Sequence, residues 1–88
     1  MVERRVVVGN SLGIHARPAT KIMQTAGQFQ SEVTLFLDGN GADAKSIMSV
    51  IQLAVPPRAT VVIRARGSDE AAAADALVRL FDTKFDEV

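Results

Sequence analysis

The order of strand-like and helix-like segments predicts an α+β fold, βαββαβα, in which an antiparallel or mixed sheet carries its helices on one face. Two observations support it. Residues 32–37 and 60–66 alternate with the two-residue period of strands, while the segments between and after them repeat their apolar residues at helical spacing. Asp38-Gly39-Asn40-Gly41 is a hairpin signal, and a hairpin cannot belong to a continuous parallel winding.

Taken in order, Val2 to Val8 reads as the first strand and stops at Gly9-Asn10. A loop follows, then a helix that begins at about His15 or Ala16. Pro18 has no N–H and a φ fixed near the helical value, so it belongs in a first turn, where backbone donors lack intrahelical partners anyway. Ala19, Ile22, Met23 and Ala26 continue the helix until Gly27 supplies a stop. Val33, Leu35 and Leu37 mark the second strand, Glu32 to Leu37, and Ala42 to Ala44 is expected as its short return. Ile47, Val50, Ile51 and Ala54 fall at helical spacing in a helix over Ser46 to Leu53, ended by Val55-Pro56-Pro57-Arg58. Thr60 to Arg66 is the last strand. The closing helix opens after Gly67-Ser68, places Asp69 and Glu70 in its first turn, and carries Ala73, Leu77, Leu80, Phe81 and Lys84.

Eighty-eight residues make one expected domain, 1–88, with a single modest core and no room for a second cleft-bearing lobe. With no cysteine, disulfides and thiolate chemistry are excluded. Ten basic and ten acidic residues cancel, and the chain has four Phe but no Trp or Tyr, which argues against nucleic acid as the main partner. No apolar run reaches membrane-spanning length, and Met1-Val2-Glu3-Arg4-Arg5 does not lead into a signal-peptide core. The expected compartment is the cytoplasm. No metal-ligand cluster or nucleotide loop is present, so neither metal nor cofactor is expected.

His15 is the only histidine, and it stands at the mouth of the first helix. A lone histidine is usually a cap or an ordinary surface residue. Its neighbours favour chemistry here: Gly13 permits an unusual turn, Pro18 sets the helix start, and Arg17 puts a planar cation where an anion would sit. The free N–H groups of a first helical turn and the positive end of the helix dipole suit a phosphoryl group. Neutral imidazole can accept that group on a ring nitrogen and release it again, since the N–P bond is labile.

Gly13-Ile14-His15-Ala16-Arg17-Pro18-Ala19, followed by Lys45-Ser46-Ile47-Met48-Ser49-Val50, resembles the HPr family, the histidine-containing phosphocarriers of the bacterial phosphoenolpyruvate-dependent sugar phosphotransferase system. The resemblance spans nearly the whole chain. It implies an open-faced β-sandwich, a mainly antiparallel four-stranded sheet with three helices on one face. His15 would be the phosphoryl acceptor through Nδ1, Arg17 would neutralise the phosphoryl oxygens, and the backbone amide of Ala16 would help cradle them. Enzyme I would donate the group and an enzyme IIA domain would receive it, making the chain a stoichiometric relay and not a stand-alone enzyme.

The same resemblance makes Ser46 a regulatory phosphoserine, target of a serine kinase/phosphorylase, beside its plain role as helix N-cap. Ile47, Met48 and Ile51 cannot all point inward with Val50 and Ala54, so one or two should be exposed as an apolar docking surface, bordered by Thr20, Lys21 and Lys45. The chain departs from the family at Gln24 and Gly27, where basic residues are common, and at Ala54, which replaces a glycine common after the second helix. The alternative reading is the regulatory phosphocarrier of the nitrogen-type phosphotransferase branch, acting mainly as a phosphorylation-dependent interaction protein. A monomer is expected.

Overall fold

The computed structural model describes residues 1–87. Its elements follow the expected order: β1 (Val2–Val7), α1 (Ala16–Ala26), β2 (Glu32–Leu37), β3 (Asn40–Asp43), α2 (Ile47–Gln52), β4 (Thr60–Arg66) and α3 (Glu70–Asp82), then a final turn at Lys84–Asp86. The strands lie in the order β1-β4-β2-β3, every neighbouring pair antiparallel. No helix among the described residues is long and apolar enough to cross a membrane.

Strand alternation decides which face is covered. Val61, Ile63 and Ala65 of β4 are buried, as are Val33 and Leu35 of β2, while Val62, Arg64 and Thr34 lie on the uncovered side. Against the buried rows pack Ala19, Ile22 and Ala26 of α1, Val50 of α2, and Ala73, Ala74, Leu77 and Phe81 of α3. Alanines at the helix contacts let backbones approach the sheet closely. On the open face the Arg64 guanidinium stacks over the ring of half-buried Phe36, 4.5 Å from its centroid.

Local expectations change at the hairpin, at Lys84 and at Ala54, while Gly27 stops α1 as expected. The hairpin turn is the two-residue loop Asp38-Gly39, with Leu37 opposite Asn40 and φ of 50° and 86° at the two loop residues. A type I′ turn needs both positive angles, and its tightness starts β3 at Asn40, two residues before the expected Ala42. Gly27 ends α1 at φ −65° and makes no use of a left-handed conformation; the chain tightens instead through Gln28 N–H to Thr25 and Phe29 N–H to Ala26. Lys84 is outside α3, because the chain turns left-handed there, with φ of 56°, and buries Phe85.

Ala54, given helical spacing above, also falls outside its helix. It follows the C-cap Leu53 with φ of 57°, the left-handed position that ordinarily favours glycine. A Cβ there costs about 1–2 kcal/mol, partly offset by the extra chain entropy of glycine in the unfolded state. Ala54→Gly should therefore stabilise the fold by about 0.5–1 kcal/mol, read as a higher urea midpoint at unchanged slope; an unchanged or lower midpoint would refute the assignment of strain.

Asp69 ties the helical layer together. It makes no side-chain cap on α3, and its carboxylate accepts from Ser31 Oγ at 2.5 Å, Ser31 N–H at 3.0 Å and Gln30 N–H at 2.9 Å. The Ser31 hydroxyl bond, with the Gln30 amide behind it, holds this carboxyl below its usual value. The entry to β2 is thereby fixed to the start of α3.

Candidate functional site

The loop before α1 is shaped by one close backbone approach. Gly13 has φ of 73°, and a Cβ at that position would lie 2.4 Å from the Val55 carbonyl oxygen and 3.0 Å from backbone atoms of Pro56 and Pro57. Ile14 N–H donates to that same Val55 carbonyl at 3.0 Å, and the Ile14 side chain is buried. The loop is thus seated against the turn after α2.

This seating delivers His15 to the N-cap of α1, in extended backbone conformation and with no capping bond from its side chain. Its carbonyl accepts from Ala19 N–H at 3.0 Å, which closes the first turn. Pro18 has no N–H, so helix geometry leaves two donors, Ala16 and Arg17, without intrahelical acceptors. They sit at the positive end of the helix dipole beside an imidazole that is 34% exposed. Arg17 is exposed and borders two shallow grooves, one of about 380 Å³ with Ser11, Leu12, Asp86 and Glu87, the other of about 290 Å³ with Ala16, Thr20, Lys21 and Gln24.

The far end of the chain closes over this site. Glu87 Oε1 lies 3.3 Å from His15 Nε2 and accepts from Asn10 Nδ2 at 2.9 Å. Asn10, itself buried, also donates to the Gly13 carbonyl at 2.7 Å. Burial works to raise the Glu87 carboxyl, but the bonds to Asn10 and His15 and the charges of His15 and Arg17 outweigh it and leave it lowered. A carboxyl lowered on folding adds stability that is present above its unfolded value and disappears as pH falls through the folded one.

Reaching His15 requires Lys84, Phe85 and Asp86 to adopt φ of 56°, 56° and 57° in succession. Left-handed non-glycine residues cost about 1–2 kcal/mol each, so other contacts must hold the turn. Phe85 is fully buried, edge-on to Phe81 with ring centroids 4.8 Å apart. The Lys21 ammonium donates to the Phe85 carbonyl.

The second motif lies on α2, packed beside α1. Ser46 is its N-cap, accepting from Ser49 N–H at 3.3 Å. Of the apolar residues there, Val50 is buried, Ile47 and Ile51 are half-buried, and Met48 is 61% exposed. Thr20 and Lys45 are half-buried with their polar ends engaged internally: Thr20 Oγ1 donates to the Ala16 carbonyl at 2.9 Å and Lys45 Nζ to the Phe29 carbonyl at 2.9 Å. Leu12, 71% exposed in the His15 loop, is a further apolar residue that the pattern of the sequence did not single out. Nor did it single out Asn10 and Glu87, which are 77 residues apart and share no local motif.

A family model described as "PTS HPr component phosphorylation site" matches residues 2–83. The phosphocarrier protein HPr of Xylella fastidiosa (strain 9a5c) is 42% identical over 99% of this chain and 98% of its own. The phosphocarrier protein NPr of Shewanella violacea is 38% identical over 98% and 94%. Among solved structures, the crystal structure of HPr-C-His from Thermoanaerobacter tengcongensis superimposes with a TM-score of 0.95 at 40% identity, covering 100% of this chain and 99% of that one.

Proposed function

The chain belongs to the HPr family of phosphotransferase-system phosphocarriers, and from that premise we propose that His15 carries the phosphoryl group, taking it from phosphorylated enzyme I and passing it to a histidine of an enzyme IIA domain. The observation that carries this reading is the placement of a partly exposed imidazole at the open end of α1, next to two unpaired amides and the exposed Arg17. A ring nitrogen lone pair attacks phosphorus, a new N–P bond forms, and the electron pair of the broken bond returns to the donor. The Ala16 and Arg17 amides and the Arg17 guanidinium meet charge on the phosphoryl oxygens. Onward transfer runs the same steps in reverse order against a new acceptor.

Partners would dock on the apolar surface formed by Met48 and Leu12 with the exposed parts of Ile47 and Ile51. Methionine adapts to several surfaces, which suits a relay with an upstream and a downstream contact. With their polar ends turned to the protein backbone, Thr20 and Lys45 would contribute shape more than charge.

Ser46 would carry the regulatory phosphate. A dianion at the N-cap favours α2 but opposes acidic partner surfaces. The deciding experiment incubates the protein with labelled phosphoenolpyruvate and enzyme I, then adds an enzyme IIA domain. Wild type should take up one phosphate and lose it to the acceptor, whereas label that never leaves would refute the relay. Ser46→Asp, which keeps a cap, should load several-fold more slowly at low salt and recover in high salt as repulsion is screened. Wild-type loading by this variant at low salt would leave Ser46 as a cap alone.

A further inference from the structure

We propose that Glu87 is a positioning residue for phosphoryl transfer, its carboxylate fixing the His15 ring through Nε2 and balancing the charge the ring gains when the opposite nitrogen takes the phosphoryl group. The inference rests on His15 being the acceptor. It starts from the 3.3 Å separation of Glu87 Oε1 and His15 Nε2. A carboxylate at that position accepts the proton of Nε2–H, and neutral imidazole has a single ring proton, so the lone pair is then on Nδ1. One contact thus selects both the reactive nitrogen and the orientation of the ring.

The charge balance gives the contact a second effect. When the Nδ1 lone pair forms the bond to phosphorus and the donor's N–P bond breaks, the proton on Nε2 stays in place and the ring becomes cationic. Glu87 is the carboxylate hydrogen-bonded to that nitrogen. It stands on the side of the ring remote from Nδ1, so it meets the new positive charge with the ring between it and the incoming phosphoryl oxygens. A buried donor, Asn10 Nδ2, steadies the carboxylate and ties it to the Gly13 carbonyl of the acceptor loop.

The placement of Glu87 is built into the fold. Three consecutive left-handed residues bring it to His15, and Phe85 burial and the Lys21 bond to the Phe85 carbonyl hold that turn. Residues 84–87 lie beyond the 2–83 stretch matched by the family model.

The test combines ring-proton NMR with transfer kinetics on the full chain. In wild type, Nε2–H should give an exchange-protected proton resonance, and Glu87→Ala should lose it and load phosphate from enzyme I on the order of fivefold more slowly. Glu87→Gln, whose amide oxygen still accepts from Nε2–H, should keep the resonance and recover part of the rate. Asp75→Ala removes a carboxylate that pairs with Arg4 and takes no part in the site, and it should change neither readout. A resonance equally protected in Glu87→Ala, or an unchanged loading rate after its loss, would overturn the proposal. If wild type shows the protected proton yet takes up no phosphate on His15, the acceptor assignment fails and the transfer role of Glu87 fails with it.

Discussion

His15→Ala is expected to abolish phosphate uptake from phosphoenolpyruvate and enzyme I while leaving the protein folded. The chain has one imidazole, and no other side chain in the α1 mouth can form an acid-labile, base-stable N–P bond reversibly. The structural loss is small, because the ring is 34% exposed and makes no capping bond to its helix. Removing the contact with Glu87 costs little, because solvent screens it. Labelling in acid and in base, with a thermal melt on the same samples, checks both halves. Label retained by the variant would refute His15 as acceptor, and loss of the cooperative melt would mean that the ring supports the fold.

The other large effect is on stability. Gly13→Ala places a methyl group 2.4 Å from the Val55 carbonyl oxygen, well inside contact distance, and its neighbours are backbone atoms that cannot rotate away. It also forces a side chain into φ of 73°, for about 1–2 kcal/mol before any clash is counted. Relief requires the loop to lift from Val55, which breaks the Ile14 N–H bond and exposes the buried Ile14 side chain. We expect a loss of about 3–4 kcal/mol and, for a domain of this size, a Tm lower by about 15 °C or more. Urea unfolding measures it directly; a variant within about 1 kcal/mol of wild type would mean that the approach to Val55 is not tight in solution.

Legibility in the sequence followed the range of the forces involved. Strands β2 and β4 appear with the bounds their alternation marks, since a half-covered sheet imposes a two-residue period locally. Helix α1 starts where Pro18 and the unpaired first turn require, and Ser46 caps α2 as a serine before an apolar turn should. Lys84 falls outside α3 although helical spacing continues through it, because burial of Phe85 against Phe81 overrides the local preference. Within the site, His15, Ala16 and Arg17 form one short motif that can be read directly. Asn10 and Glu87 acquire meaning only when the chain's two ends meet, and no pattern of neighbours encodes that meeting.

The pairing of β1 with β4 bears on how the protein is made. Val2 faces Ala65 and Val7 faces Thr60, so the strand synthesised first has to wait for one of the last before it has a partner. The loop that follows β1 is seated by Val55 and covered by Glu87. A nascent chain ending at Gly27 therefore displays every residue of the histidine motif without the wall that shapes it. At about 5–20 residues per second, the ribosome needs roughly 3–12 s more to supply residues 28–87. Closing loops of this length is slow compared with forming α1, so acceptance of phosphate should appear late and together with the completed sheet.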